Sequence, residues 1–121
     1  MKTENKIVEM SFEFSLQVID LYKRLVDQKE FVLSKQLLRA GTSIGANVEE
    51  ATAAQSKREF ITKMSIASKE ARETRYWLRL LENSKLTDVS CQNHLNAVEH
   101  IINILTKIVK TSQESIQRTT T

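Results

Sequence analysis

Apolar residues recur along this chain at steps of three and four, the spacing that places side chains on one face of an α-helix. The pattern predicts four helices, over about residues 7–26, 31–54, 57–83 and 88–110. The polar connections between them are short, so consecutive helices are expected to lie antiparallel to each other. The sequence therefore predicts an all-α fold: one antiparallel up-down-up-down four-helix bundle domain over residues 1–121.

Two of the predicted helices carry residues typical of helix starts. Ser56 and Glu59 have the spacing of a capping box, in which each side chain accepts a hydrogen bond from the other residue's backbone amide. Thr87 is the expected N-cap of the fourth helix, with Asp88 in its first turn. The polar ends of the chain, about residues 1–5 and 112–121, are expected to fray.

Both glycines of the protein lie inside the second predicted helix, one turn apart. A glycine in a helix interior costs about 1 kcal/mol relative to alanine, so two of them suggest a compensating contact. The missing side chains would allow another helix to approach closely, by analogy with the small-residue contacts of membrane helices. We therefore predict close helix packing at Gly41 and Gly45.

A polar stripe follows the second helix beside its apolar face: Arg39, Ser43, Asn47 and Glu50. Glu70, Glu73 and Thr74 of the third helix are placed to meet it. A charge that becomes buried must be paired and hydrogen-bonded. The stripe is therefore interpreted as a structural polar network that sets helix register or a subunit interface, with a ligand site as the alternative.

Composition supports a helical protein without an internal disulfide. Among 121 residues there is no proline, and aromatic residues make up 6%. Cys91 is the single cysteine, and no run of residues approaches the ~20 apolar positions of a membrane span. A cytoplasmic protein without membrane association is expected.

The charge balance is mildly basic, with a formal net charge of +3. Closely spaced cations lie near the end of the third helix: Lys69, Arg72, Arg75 and Arg79. A cationic ridge of this kind can contact the phosphates of RNA or DNA. Alternatively, these residues form a solvated or intersubunit face of ion pairs with Glu70, Glu73 and Glu82.

No combination of residues in the sequence predicts catalysis or a bound metal. Cys91 and His94 are one helical turn apart, but His100 points elsewhere and no Glu-x-x-His pattern is present. No glycine-rich phosphate loop follows a strand, and no Ser/His/Asp arrangement can be argued. We expect a non-enzymatic protein without a cofactor, in which Trp77 is a core or interface residue rather than a base-stacking one.

Two segments have a distinctive combination of residues, SKQLLRAGTSIGANVEEA at 34–51 and REFITKMSIASKEARETRYWLRLL at 58–81. With SFEFSLQVIDLYKRL in the first helix, they resemble a family of small bacterial four-helix bundle proteins over about residues 8–110. This is the 23S rRNA-intervening sequence protein family, some members of which are encoded inside ribosomal RNA genes. Many members have Pro and a Glu-Gly ending where residues 43–51 read SIGANVEEA, so this chain is placed in a Gly-containing branch.

The resemblance implies a ring-shaped homo-oligomer, most simply a pentamer. It also makes the chain similar to the accessory protein of diversity-generating retroelements, a basic pentameric barrel that works with a reverse transcriptase and binds nucleic acid. The wide apolar arc of the fourth helix, which includes Ile101, Ile104 and Ile108, separately suggests a contact beyond the bundle.

The expected function is a non-catalytic oligomeric scaffold or adaptor that binds RNA or DNA through its basic surface. The alternative is a structural protein–protein interaction module without nucleic-acid binding. The two differ in whether the third-helix arginines are exposed or are paired inside an interface.

Overall fold

The computed structural model describes residues 2–120, with side chains from Asn5 to Arg118. Over that range it contains four α-helices and no β-strand: α1 (Lys2–Asp27), α2 (Leu33–Thr52), α3 (Lys57–Ser84) and α4 (Gln92–Thr120). Each helix packs against two others, in the cyclic order α1, α2, α3, α4, and the contact between α1 and α4 is the least extensive. The all-α four-helix fold predicted from the apolar spacing is confirmed.

The core lies between the four helices and is built from the predicted apolar faces. Its largest fully buried side chains come from every helix: Phe14, Leu21, Leu37, Ile44, Met64, Leu78, Ile101 and Leu105. Burying one such side chain stabilises the fold by about 1.5–3 kcal/mol. The core therefore requires all four helices, because each one alone would leave its apolar face in water.

The broad apolar arc of α4 is used inside the bundle. Ile101, Ile102 and Ile108 are buried, and Ile104 is half-buried and packed against the core. Because α4 contacts α1 and α3 at once, it needs an apolar surface wider than a single stripe. The interpretation of this arc as surface left over for another subunit is therefore wrong.

The two glycines of α2 lie buried against α1. A Cβ atom added to Gly41 would lie 2.8 Å from Val18 Cγ1, closer than real Cβ atoms approach their neighbours. A Cβ added to Gly45 would lie 3.3 Å from the backbone oxygen of Ser11 and from Ser15 Oγ. The helices meet so closely here that the contact leaves little or no room for a side chain on α2.

The start of α3 follows the predicted capping pattern with one difference. Ser56 Oγ accepts a hydrogen bond from the Glu59 amide at 3.0 Å. The Glu59 carboxylate, however, accepts from the amide of Gln55, also at 3.0 Å, and not from that of Ser56. The reciprocal bond is therefore shifted by one residue along the chain.

The fourth helix begins four residues later than the sequence pattern predicts, at Gln92. Thr87 caps no helix, because its Oγ1 accepts from the nearby Val89 amide at 3.2 Å within the connection. Just before the helix, Glu82 Oε1 accepts from the Cys91 amide at 2.6 Å. A carboxylate from the end of α3 thus satisfies a backbone donor beside the start of α4. The two residues are nine positions apart, so the local spacing of capping residues does not predict this bond.

The helices also differ from the prediction at other ends. Helix α2 begins at Leu33, where the Glu30 carboxylate accepts from the amides of Val32, Leu33 and Ser34. Helix α1 begins at Lys2 and α4 continues to Thr120, through the segments expected to fray. Those segments contain no glycine or proline that would end a helix. No helix in the described part of the chain is both long enough and apolar enough to cross a membrane.

Candidate nucleic-acid interface

Helix α3 presents one continuous polar stripe to solvent, which we call the outer face of α3. Its members follow steps of three and four residues and are exposed except for the half-buried Ser65: Arg58, Thr62, Ser65, Lys69, Arg72, Tyr76, Arg79 and Asn83. Residues at this spacing lie on one side of a helix, one above another. The outer face of α3 therefore carries four cations and no carboxylate.

All four carboxylates of α3 lie off this face and accept hydrogen bonds elsewhere. Glu59 accepts from the Gln55 amide, and Glu82 accepts from the Cys91 amide. Glu70 and Glu73 point toward α2, where both contact Arg39. The glutamates that alternate with the arginines in sequence therefore do not neutralise the outer face of α3.

Of the four predicted phosphate-binding residues, the structure places three on the outer face of α3 and one beside it. Arg75 is half-buried toward α4, and its Nη1 lies 2.8 Å from Glu99 Oε2. Arg72 Nη2 donates to Thr106 Oγ1 at 3.3 Å. Among the residues that the structure describes, Lys69, Arg72 and Arg79 form no ion pair.

A shallow groove of about 280 Å³ lies between α3 and α4 beside this face. Lys69 and Arg72 line it from α3, and Thr106 and Lys110 line it from α4. A second groove of about 500 Å³ continues past Arg58 and shares Gln113 with the first. No carboxylate lines either groove, so this seam is cationic along its length.

Sequence reasoning did not single out Arg58, Tyr76 or Lys110. Lys110 is three residues from Lys107 on a polar side of α4, a pattern typical of any solvated helix surface. Only the packing of α3 on α4 brings it into the groove lined by Lys69 and Arg72. Tyr76 could have been found from the sequence, because it is four residues from Arg72 and residues at this spacing share a helix face.

The neighbouring aromatic residues Tyr76 and Trp77 have different environments. Tyr76 is 53% exposed and meets the Trp77 ring edge-on, with ring centroids 5.3 Å apart. Trp77 is half-buried against the core, and its Nε1 donates to Glu73 Oε2 at 3.0 Å. The aromatic face available to solvent at this position is therefore that of Tyr76.

The predicted polar stripe of α2 divides into parts that reach α3 and parts that do not. Arg39 contacts Glu70 Oε2 at 3.4 Å and also binds the carboxylate of Glu73. Arg39 therefore links α2 to α3. Glu73 also accepts from Trp77 of its own helix, so Trp77 belongs to the same network. The structure thus brings Arg39, Glu70 and Glu73 together at the position where sequence placed a polar network.

The remaining members of the stripe make separate contacts. Ser43 Oγ donates to the Arg39 carbonyl at 2.7 Å, and Asn47 Nδ2 donates to the Ser43 carbonyl at 2.9 Å, both within α2. Glu50 Oε1 lies 2.7 Å from Lys63 Nζ on α3. This hydrogen bond and the negative charge of Glu50 raise the pKa of Lys63.

Cys91, His94 and His100 do not come together as a metal site. In the part of the chain that the structure describes, no three His, Cys, Asp or Glu side chains are placed to hold a metal ion. Cys91 is buried, and loss of hydration raises the pKa of its thiol to about 11. Burial lowers the pKa of His94, whose buried Nδ1 has no hydrogen-bond partner among the described residues.

The fold and its surface define a small all-α bundle protein with one strongly cationic helix face. Residues 3–107 match the 23S rRNA-intervening sequence protein family, and the chain belongs to that family. It is similar to a crystal structure of a protein of unknown function from the S23 ribosomal protein family of Bacteroides thetaiotaomicron. The two sequences are 47% identical over 89% of this chain and 98% of the other, with a TM-score of 0.85. No curated protein matches this sequence.

Proposed function

We propose that this protein is a non-catalytic oligomeric scaffold or adaptor that binds RNA or DNA through the outer face of α3. One observation carries the proposal: the carboxylates of α3 are engaged at its sides, which leaves Lys69, Arg72 and Arg79 exposed without an anionic partner among the described residues. Unpaired cations on one face attract a polyanion through release of its counterions. Arg75, which pairs with Glu99, is the weakest of the four phosphate contacts that the sequence predicts.

The proposed assembly is a homo-oligomer, with a ring-shaped pentamer as the first expectation from the sequence resemblance. Helix α1 offers a surface for it, because Phe12, Leu16 and Ile19 are 58%, 48% and 37% exposed and lie at steps of four and three. Such an apolar stripe on a helix otherwise surrounded by polar residues favours contact with another protein surface. A second copy of the chain is the proposed partner.

Repetition of the outer face of α3 around such an assembly would multiply its charge, whereas a single chain carries a formal net charge of only +3. Multivalent contact with one polyanion would then exceed the affinity of a single copy. A cytoplasmic location completes the proposal and rests on the single, buried Cys91.

The proposal is tested by fluorescence anisotropy with labelled RNA and DNA at low and moderate salt. Arg72→Glu with Arg79→Glu should weaken binding at least tenfold and flatten the dependence of log Kd on log salt. The matched control reverses the same number of charges at Lys23 and Lys35, which are exposed on α1 and α2. Absence of wild-type binding at low salt, or equal losses in both double variants, would contradict nucleic-acid binding through α3.

The mass of the assembly is a separate measurement, made by light scattering after size exclusion. We expect the mass to be a multiple of 13.9 kDa, and five times that value for the pentamer. Leu16→Glu should reduce the mass of the assembly. A wild-type monomer at micromolar concentration would refute the oligomer, and another multiple would refute the pentamer.

The alternative function is a structural protein–protein interaction module that binds no nucleic acid. The exposed stripe of Phe12, Leu16 and Ile19 favours it, because this stripe provides a contact surface that needs no polyanion. An intact oligomer without any affinity for RNA or DNA at low salt would support this alternative.

A further inference from the structure

The environment of Tyr76 suggests which form of nucleic acid the basic surface accepts. Tyr76 lies one turn after Arg72 and three residues before Arg79, so cations flank it on both sides along the outer face of α3. Tyr76 is 53% exposed, and its ring is supported from one side by the edge-on contact with Trp77. Trp77 in turn is held by its hydrogen bond to Glu73.

An exposed aromatic ring between cations is typical of proteins that bind single strands. The ring can stack on a base only when that base has a free face, and in a duplex both faces are covered by neighbouring base pairs. A duplex would therefore meet only the cations, whereas a single strand could use both the cations and the ring.

The α3–α4 groove, which Arg72 lines one helical turn before Tyr76, supplies a track for the backbone of such a strand. Lys69 and Arg72 face Lys110 across it, and Thr106, whose Oγ1 accepts from Arg72, lies on the α4 side. No carboxylate lines this groove or its continuation toward Arg58. From Arg58 to Arg79 the outer face of α3 extends over about 32 Å at 1.5 Å per residue, which is enough for several nucleotides.

We propose that the α3–α4 groove holds the phosphodiester backbone of a single-stranded nucleic acid, with Lys69, Arg72 and Lys110 at the phosphates and Tyr76 stacked on a base. This inference rests on the proposed function and specifies its ligand. Contacts to phosphates and a ring face carry little sequence information, so binding has little base preference. The 2′-hydroxyl distinguishes RNA from DNA only if a polar group such as Thr106 contacts it.

The test measures anisotropy of labelled 12-nucleotide oligouridine, oligodeoxyuridine and a 12-base-pair DNA duplex, with the unmodified protein in a series of salt concentrations. Three variants are compared: the groove variant Lys69→Gln with Lys110→Gln, the ring-deletion variant Tyr76→Ala, and the conservative variant Tyr76→Phe. The charge-matched control is Lys23→Gln with Lys35→Gln, at exposed positions of α1 and α2. Circular dichroism melts establish that each variant keeps its fold.

Wild-type protein should bind both single strands more tightly than the duplex. Loss of Lys69 and Lys110 should reduce the salt slope by about 1.4, at about 0.7 per phosphate of a single strand, while the control changes it much less. Tyr76→Ala should weaken binding about tenfold with an unchanged slope, and Tyr76→Phe should retain the wild-type affinity because its ring still stacks. Oligouridine and oligodeoxyuridine differ only in the 2′-hydroxyl, so tighter binding of the first would indicate an RNA ligand, and tighter binding of the second a DNA ligand.

The result that overturns the inference differs from the one that overturns the proposed function. If the wild-type protein binds a nucleic acid but prefers the duplex, or if Tyr76→Ala binds single strands as Tyr76→Phe does, the single-strand site is wrong and nucleic-acid binding stands. If the groove variant keeps the salt slope of the control, the groove is likewise refuted. If the wild-type protein binds none of the three probes at low salt, both proposals fail together.

Discussion

Helix α1 makes two contacts that differ in closeness, one with α2 and one with α4. Against α2, the glycine positions leave little or no space, since a Cβ at Gly41 would lie 2.8 Å from Val18. Against α4, a cavity of about 350 Å³ opens between the helices, with Glu13 and Phe14 on one side and Ala97 and His100 on the other. The same helix therefore has one tightly closed face and one open face.

The difference follows from the side chains that each neighbour presents. Glycine allows two helix backbones to approach until van der Waals contact stops them, and dispersion contacts then accumulate along the seam. On the α4 side, the cavity is lined by longer and partly polar side chains such as Glu13, Gln17 and His100, and His94 is buried without a partner for its Nδ1 among the described residues. We therefore expect larger side chains to destabilise the protein at the α1–α2 contact and to be tolerated at the α1–α4 contact.

The largest effect is expected from enlarging Gly45 to leucine at the close contact. The Cβ position already lies 3.3 Å from the backbone oxygen of Ser11, and backbone cannot move aside as a flexible side chain can. Overpacking should reduce the free energy of unfolding by about 1–3 kcal/mol. Urea denaturation monitored by circular dichroism measures it, and an unchanged midpoint would show that the α1–α2 contact is not close in solution.

A smaller loss of stability is expected for Gly41→Ala, which adds a single methyl group at the same contact. Alanine gains about 1 kcal/mol in helix propensity, but its Cβ must displace the stiff, β-branched Val18. We expect a net destabilisation of about 1 kcal/mol.

The Gly41→Ala prediction has an internal control in a double-mutant cycle with Val18→Ala. Val18→Ala removes both Cγ atoms and leaves only the Cβ of residue 18, 3.3 Å from the added methyl group, so Gly41→Ala should become much less destabilising in this background. Equal effects of Gly41→Ala in both backgrounds would mean that Val18 is not the residue that excludes a side chain at this position.

Acid should weaken the α1–α4 side through His94. Burial lowers the pKa of His94 in the folded protein, and a backbone hydrogen bond with Gln17 opposes this only in part. Because the unfolded chain binds a proton near the ordinary pKa of about 6.5 and the folded protein binds it only at lower pH, stability present above pH ~6.5 is lost as the pH falls below it. The melting temperature should therefore be lower at pH 5.5 than at pH 7.5.

The matched variant for this pH effect is His94→Gln, which keeps a polar side chain but cannot titrate. Its melting temperature should change less between pH 7.5 and pH 5.5 than that of the wild-type protein. An identical pH dependence in the two proteins would assign the acid sensitivity to carboxylates elsewhere in the bundle.

The smallest effect is expected for Ala97→Leu, which adds an apolar side chain at the open contact. Ala97 lines the cavity between α1 and α4, so the larger side chain has space to occupy. We expect a change between zero and a gain of about 0.5 kcal/mol, since filling a cavity adds contacts. A loss as large as that of Gly45→Leu would remove the distinction between the two contacts of α1.

The candidate site could be predicted only in part from the sequence. The spacing of Lys69, Arg72 and Arg79 placed them on one helix face, because that relation depends only on the helix period. The same spacing included Arg75, whose pairing with Glu99 depends on α4 lying beside it. Lys110 could not be found in this way, since it is 41 residues from Lys69 in the sequence and reaches the groove only through helix packing.

The sequence by itself determined that the chain forms four helices and which side of each is apolar, because both depend on neighbours three and four residues apart. It also indicated that Gly41 and Gly45 needed a close neighbour. Tertiary structure decided which residues those neighbours are, with Val18 and Ser11 meeting the glycines and Arg39 meeting Glu70 and Glu73. It also decided that the wide arc of α4 is consumed inside the bundle. These contacts depend on which helices lie side by side and at what register, and no local spacing contains that information.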